Sequence, residues 1–145
     1  MRAVVERVKE ASVRTGDGVV GEIGQGLLVL LAIHQDDNEA SISKMAEKLI
    51  ALRIFSDDTG KMNLSVKDMG GEILVVSQFT LYGDARSGNR PSFIEAAKPE
   101  KARSFYEQVV TKIRDERIKV ETGRFGAQME VSIINDGPVT LIIDI

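Results

Sequence analysis

The sequence predicts a strand-rich α+β domain, its mixed sheets packed with two main helices, and three observations carry that prediction. Strand and helix signals alternate along the chain with no linker, low-complexity tract or internal repeat, which reads as one domain spanning residues 1–145. Leu27 to Ile33 is an uninterrupted apolar run of strand length, as expected of a strand covered on both faces. Two segments carry apolar residues at helical spacing, Ile42, Met45, Ala46, Leu49 and Leu52 in one, Ala102, Phe105, Val109 and Ile113 in the other.

The elements follow in order. Arg2 to Val8 is the first strand, and Thr15-Gly16-Asp17-Gly18 is a turn into Val19 to Ile23. Gly24-Gln25-Gly26 turns again into the buried strand Leu27 to Ile33. Asp36-Asp37-Asn38 offers capping oxygens to the first helix. Ile73 to Val76 is a short apolar strand whose continuation, Ser77-Gln78-Phe79-Thr80-Leu81, turns polar before the loop from Gly83 to Pro91. Such a strand end presents hydrogen-bonding groups from a rigid element, a pattern that suits a ligand site. The second helix starts near Pro99, whose fixed φ fits a first helical turn, and ends near Arg114 to Arg117. Ala127 to Asn135 and Val139 to Ile145 read as two strands divided by the turn tripeptide Asp136-Gly137-Pro138. In the first of them Met129, Val131 and Ile133 alternate with polar neighbours, as in a strand wet on one face.

Composition narrows the function. The chain has no cysteine, so disulfides and thiolate catalysis are excluded. Its single histidine, His34, follows the buried strand and reads as a strand-end surface residue, which leaves a serine or threonine nucleophile without a histidine triad. Asp57-Asp58-Thr59-Gly60-Lys61 lacks the spacing of a calcium loop and reads as a turn, so no metal is expected. No glycine-rich phosphate loop precedes a helix, and no nucleotide cofactor is expected either. No run reaches the roughly 18 apolar residues of a membrane helix, and the chain reads as cytoplasmic, with no membrane partner. A net charge of −3 argues against coating nucleic acid through bulk positive charge, so any RNA contact must be local. Arg86, Arg90, Lys98, Lys101 and Arg103 lie in or just after the central loop; a solvated helix start is the plain reading of them, a few phosphate contacts the other.

Three segments remain: Ser77 to Leu81, Gly88-Asn89-Arg90-Pro91-Ser92-Phe93, and Asn135-Asp136-Gly137-Pro138-Val139-Thr140. With Arg7-Val8, Arg53 to Ser56, Gly60 to Asn63 and Thr122 to Phe125, they closely resemble the D-aminoacyl-tRNA deacylases, from the first strand to the last. The resemblance implies a cofactor-free and metal-free homodimeric editing hydrolase that frees a D-amino acid, and glycine with it, from the terminal ribose of tRNA. It implies that Gly137-Pro138 is a cis dipeptide entering the partner subunit's site, where its carbonyls exclude an L-amino acid, with Arg7 bracing it. Without the resemblance, Gly137-Pro138 is an ordinary tight turn and Arg7 an exposed strand charge. Ser77, Gln78 and Thr80 match the catalytic positions, with Phe79, Phe125, Met129 and Ala102 close to the substrate; for Phe125 and Met129 core packing is an equal alternative, and for Ala102 it is the simpler one. Thr80 is either a nucleophile or a group that orients the ester while the vicinal ribose hydroxyl assists. The missing base favours the second, with main-chain N–H groups near Phe79 steadying the oxyanion. Two rivals stand beside this reading: a non-enzymatic nucleic-acid-binding module on the same fold, and a hydrolase of a different small ester.

Overall fold

A computed structural model describes residues Met1–Ile145. Eight strands and two helices form: β1 Arg2–Thr15, β2 Gly18–Ile23, β3 Gly26–Ala32, α1 Glu39–Ala51, β4 Phe55–Ser56, β5 Met62–Leu64, β6 Glu72–Ser77, α2 Pro99–Asp115, β7 Val120–Thr122 and β8 Glu130–Asp144. A single 3₁₀ turn, Phe79–Tyr82, follows β6.

The main sheet has six strands and is mixed. β1 is long because its two halves have different partners on one edge, β3 beside Arg2–Val8 and β2 beside Ala11–Thr15, while β8 runs antiparallel along the other edge. This is why the strand continues past Val8, where the apolar signal fades: pairing on both edges sustains it. β3 and β6 are parallel, and β6 is parallel to β7 in turn. Leu27, Leu28 and Val29 of β3 and Ile73 to Val76 of β6 are buried, in line with central strands covered on both faces. The pair approaches closely at Gly26, where a Cβ would lie 1.8 Å from the Glu72 carbonyl oxygen. Only glycine fits there.

α1 starts with a full capping box. Asn38 Oδ1 accepts from the Ala40 and Ser41 N–H groups while Ser41 Oγ accepts from the Asn38 N–H. Ile42, Met45, Ala46 and Leu49 are buried as the spacing predicts, each large side chain contributing about 1.5–3 kcal/mol. On α2 the buried face is Tyr106, Val109, Val110 and Ile113, so Tyr106 rather than Phe105 sits at its centre. The residue one turn on from Ala102 is Tyr106, and its hydroxyl donates to the Val75 carbonyl at 2.8 Å inside the core. α2 ends at Asp115, and Arg117 takes the left-handed conformation that stops the helix.

The C-terminal region corrects the two-strand expectation. Glu130–Asp144 is one strand paired along β1, not two strands around a reversing turn. Glu6 pairs with Thr140 and Val8 with Asn135, so Asp136, Gly137, Pro138 and Val139 all stand opposite Arg7 alone and bulge out of the ladder. The expected alternation also stops at β8: Met129 is half-buried, but Val131, Ser132, Ile133 and Ile134 are all exposed. The strand is an edge: Val139 and Ile143 pack against the core, whereas Val131, Ile133, Ile134, Leu141 and Ile142 are exposed.

Candidate active site

The β6 strand delivers Ser77 and Gln78 to the rim of a cavity of about 610 Å³, within the range of small-ligand sites. Its wall is mainly apolar: Leu31 and Ile33 from the end of β3, Ala102 and Tyr106 from α2, and Phe125 and Met129 from the segment before β8. Two parallel strands ending side by side, with a helix over the gap, make a mouth at their C-terminal ends, where α/β sheets ordinarily bind ligands.

The polar run is not a strand continuation. The chain leaves β6 at Ser77, Gln78 donates its N–H to the Leu31 carbonyl at 2.9 Å, and Phe79–Tyr82 then coils into the 3₁₀ turn. This conformation places the Gln78 side-chain amide against the Thr80 hydroxyl, to which Nε2 donates. Phe79 and Thr80 open the turn, so their N–H groups have no partner inside it, and Gln78 supplies no side-chain cap. The arrangement therefore offers a hydroxyl, an amide and main-chain donors together at one cavity edge. Phe79 is 57% exposed, its ring meeting the edge of Phe93 with centroids 5.2 Å apart.

Ser77, Gln78, Phe79, Ala102, Phe125 and Met129 all line this cavity, and Thr80 touches it through Gln78. Phe125 and Ala102 also pack on the main core, so packing and cavity lining coexist in them. The Arg103 guanidinium lies 4.9 Å from the Phe125 ring centroid. Tyr106 is the wall residue that the helix reading missed; spacing four residues from Ala102 is the signal that would have found it. Burial removes its hydroxyl from titration by raising its pKa far above the ordinary tyrosine value. His34 is half-buried beside the Tyr82 ring, 5.1 Å between centroids, and its Nδ1 accepts the Asp36 N–H at 3.1 Å.

Gly137, Pro138 and Arg7 are not part of this chain's own cavity. The Gly137–Pro138 peptide is cis, and Gly137 has φ 129°, which favours glycine. A Cβ on Gly137 would lie 2.9 Å from Arg7 Nη2. Arg7 is no exposed strand charge: its side chain is 11% exposed, with Nη1 donating to the Ile54 carbonyl at 2.6 Å and Nε to the Asp136 carbonyl at 3.1 Å. The far side of the bulge is held by Asn135, which accepts the Val139 N–H and donates to Thr140 Oγ1, both at 3.0 Å. The dipeptide is thus presented outward, exposed, on a bulge fixed at both ends.

No group of three or more histidine, cysteine or carboxylate side chains is placed to hold a metal ion, and no helix is long and apolar enough to cross a membrane. Among the basic residues near the mouth, Arg86 is paired with Asp84 at 2.8 Å and Lys101 donates to the Gln35 carbonyl at 2.6 Å.

Fold and site together define a single-domain α+β protein with a polar-rimmed apolar cleft, and comparison with known proteins identifies its class as a hydrolase. Residues 4–144 match the family model described as D-Tyr-tRNA(Tyr) deacylase. The D-aminoacyl-tRNA deacylase of Thermosipho africanus is 56% identical over 99% of this chain and 97% of its own, and that of Brevibacillus brevis is 55% identical over 99% of both. A solved structure described as c-Myc DNA Unwinding Element Binding Protein is 41% identical, with a TM-score of 0.93 over 99% of this chain and 98% of its own. A probable eukaryotic D-amino acid tRNA deacylase, 18% identical, shares the fold with a TM-score of 0.85 over 99% of this chain and 98% of its own. The chain belongs to the D-aminoacyl-tRNA deacylase family.

Proposed function

We propose that this protein hydrolyses the ester between a D-amino acid and the terminal ribose of tRNA, acting in the cytosol as a homodimer without metal or organic cofactor. The observation that carries the reading is the opening of the 3₁₀ turn, where the Phe79 and Thr80 N–H groups, the Gln78 amide and two hydroxyls converge on the rim of an apolar cleft. Main-chain donors fixed there suit the oxygen of a tetrahedral intermediate. Phe79, Ala102, Phe125 and Met129 hold the ribose and adenine end, and Ser77, Gln78 and Thr80 orient the ester. Water then adds to the carbonyl with help from the vicinal ribose hydroxyl, and the ribose oxygen leaves with the proton. Thr80 is a positioning group in this scheme, since no histidine or cysteine adjoins its hydroxyl to activate it.

Chiral rejection is assigned to the Gly137-Pro138 bulge of the partner subunit. The dipeptide is exposed and stands outside its own chain's cleft, and Ile133, Ile134, Leu141 and Ile142 on the same strand offer uncovered apolar surface for a second copy. An L-amino acid would drive its Cβ into that wall, a D-amino acid turns it away, and glycine passes for want of one.

The test is hydrolysis of D- and L-tyrosyl-tRNA by the purified protein. Release of D-tyrosine with L-tyrosyl-tRNA spared supports the proposal; equal rates, or no release, overturn it. Prompt cleavage of a free D-amino-acid ester would favour a small-ester hydrolase instead. The name of the 41% identical solved structure keeps a nucleic-acid-binding module as the second reading, which predicts binding with no hydrolysis of either tRNA. Sedimentation velocity tests the dimer.

A further inference from the structure

We infer that Arg2 is a positioning residue for the 3₁₀ turn that bears Phe79 and Thr80, holding its exit as β3 holds its entry. The inference rests on the proposal that this turn handles the ester. The turn has little of its own to keep it in place: within it and at its ends, the Leu81 N–H reaches the Gln78 carbonyl at 3.2 Å and the Gly83 N–H reaches the Thr80 carbonyl at 2.9 Å. Its entry is tied to the sheet through Gln78 and Leu31. At its exit, Arg2 Nη1 donates to the Leu81 carbonyl at 3.1 Å, at the end of the turn where unpaired carbonyls gather and a cation is favoured. The guanidinium carbon also lies 5.2 Å from the centroid of the Tyr82 ring, which also meets the His34 ring at 5.1 Å between centroids. Tyr82 is buried, so the turn's last residue is held in place by packing as well as by Arg2.

Arg2 is itself fixed. Nε donates to Asp144 Oδ1 at 2.7 Å and Nη2 to Oδ2 at 3.4 Å, a two-pronged contact that orients the fork. Its backbone lies between β3 and β8, where Arg2 pairs with Ala32 on one edge and Asp144 on the other. One side chain therefore joins the first strand, the last strand and the turn, with two nitrogens on Asp144 and the third on Leu81. A lysine has one nitrogen at the end of a flexible stem and cannot make all of these contacts at once. Arg2 does not line the cleft, so its effect on chemistry passes through the turn.

The experiment compares wild type with Arg2→Met, Arg2→Lys and Asp144→Asn. Deacylation of D-tyrosyl-tRNA is followed at saturating and limiting substrate, and amide hydrogen exchange is followed at Leu81 and Gly83. In Arg2→Met, kcat is expected to fall about 10- to 100-fold through misplacement of the turn, with KM within about twofold. The Leu81 and Gly83 amides exchange about tenfold faster, while amides of the β3–β6 pair keep their wild-type rates. Arg2→Lys recovers only part of kcat, and Asp144→Asn, which frees the fork without removing it, falls between Arg2→Met and wild type. If Arg2→Met does not fold, Asp144→Asn decides by the same two readouts. A wild-type kcat together with unchanged exchange at Leu81 and Gly83 overturns the inference. Faster exchange at these amides without wild-type hydrolysis would overturn the proposed reaction and leave the bracing role supported.

Discussion

Replacing Arg7 by methionine should uncouple chiral rejection from hydrolysis. Methionine keeps most of the apolar stem and removes every donor. The lost contacts are two charge-assisted hydrogen bonds, to the Ile54 and Asp136 carbonyls, and an ion pair to the Asp136 carboxylate at 3.3 Å. Each such hydrogen bond is worth about 1.5–3 kcal/mol. The ion pair adds about 0–1 kcal/mol, because Asp136 is 28% exposed and water screens it. Water entering the vacated space re-solvates part of the loss, which leaves about 3 kcal/mol less holding the bulge in place. At 1.36 kcal/mol per decade this is about a hundredfold fall in the fraction of aligned bulge. Rejection of L-tyrosyl-tRNA should weaken by up to that factor, while the D-substrate, which in the proposed scheme makes no use of the wall, should keep its rate within several-fold. The assay is parallel single-turnover deacylation of D- and L-tyrosyl-tRNA, with a thermal melt to confirm that the fold survives. An Arg7→Met protein that spares L-tyrosyl-tRNA as well as wild type would refute the wall, or the bracing of it by Arg7.

Thr80→Ala should retain measurable product at a rate lower by about one to two decades, since in the proposed scheme it removes an orienting contact and not a nucleophile. Substrate bearing a 2′-deoxy terminal ribose should lose far more; a Thr80→Ala protein that binds substrate yet forms no product would restore Thr80 as nucleophile. Gly26→Ala forces a Cβ to 1.8 Å from the Glu72 carbonyl oxygen, so the β3–β6 pair must part, costing more than about 4 kcal/mol by urea denaturation. A loss below about 1 kcal/mol would show that the strands separate easily. Asp84 is held down to about 2 by the Arg86 side chain and N–H, below the ordinary aspartate value of 3.8. Its folded pKa is lowered, so its contribution to loop order is present above about pH 4 and lost as pH falls through about 2. A carboxyl ¹³C titration should find that midpoint, with the Arg86 and Ser92 amides shifting alongside; a midpoint near 3.8 would mean that the pair does not form in solution.

Much of this molecule was legible in the chain because local physics and tertiary demand agree. Asn38 caps α1, Ile42 to Leu49 face the core, and Pro99 opens α2, all from spacing and side-chain chemistry alone. The failures lie where partners far away in sequence decide. β1 runs to Thr15 because β2 and β8 pair with it, although its own apolar pattern weakens after Val8. Asp136-Gly137-Pro138 has turn composition but bulges from one strand, because both flanks find partners on β1. The polarity of Ser77 to Leu81 is legible in the chain, and Ser77, Gln78 and Phe79 do line the cavity, but the shape of the run is not legible. Strand propensity ends at Ser77, and the bond from Gln78 to Leu31 starts the 3₁₀ turn. β7, three residues long, and the β4–β5 hairpin carry too little periodicity to announce themselves. Arg2 gave no signal at all, since its three contacts lie 79, 80 and 142 positions away.

These long-range ties also separate two tasks. The turn proposed to orient the ester is braced from β3 and through Arg2, whereas the bulge proposed to judge chirality is braced by Arg7 and Asn135. Neither brace shares a hydrogen bond with the other. Losses at well-separated sites with no common partner add, so a protein carrying both Arg2→Met and Arg7→Met should show the product of the two single effects. D-substrate turnover should match Arg2→Met, and the D to L ratio should match Arg7→Met. The two arginines nonetheless lie on one strand, β1, whose edge pairing with β8 sets the register of both. A double variant whose D to L ratio departs from that of Arg7→Met by more than about threefold would show that β1 transmits strain between the two halves of the site, and that rejection and chemistry are coupled rather than independent.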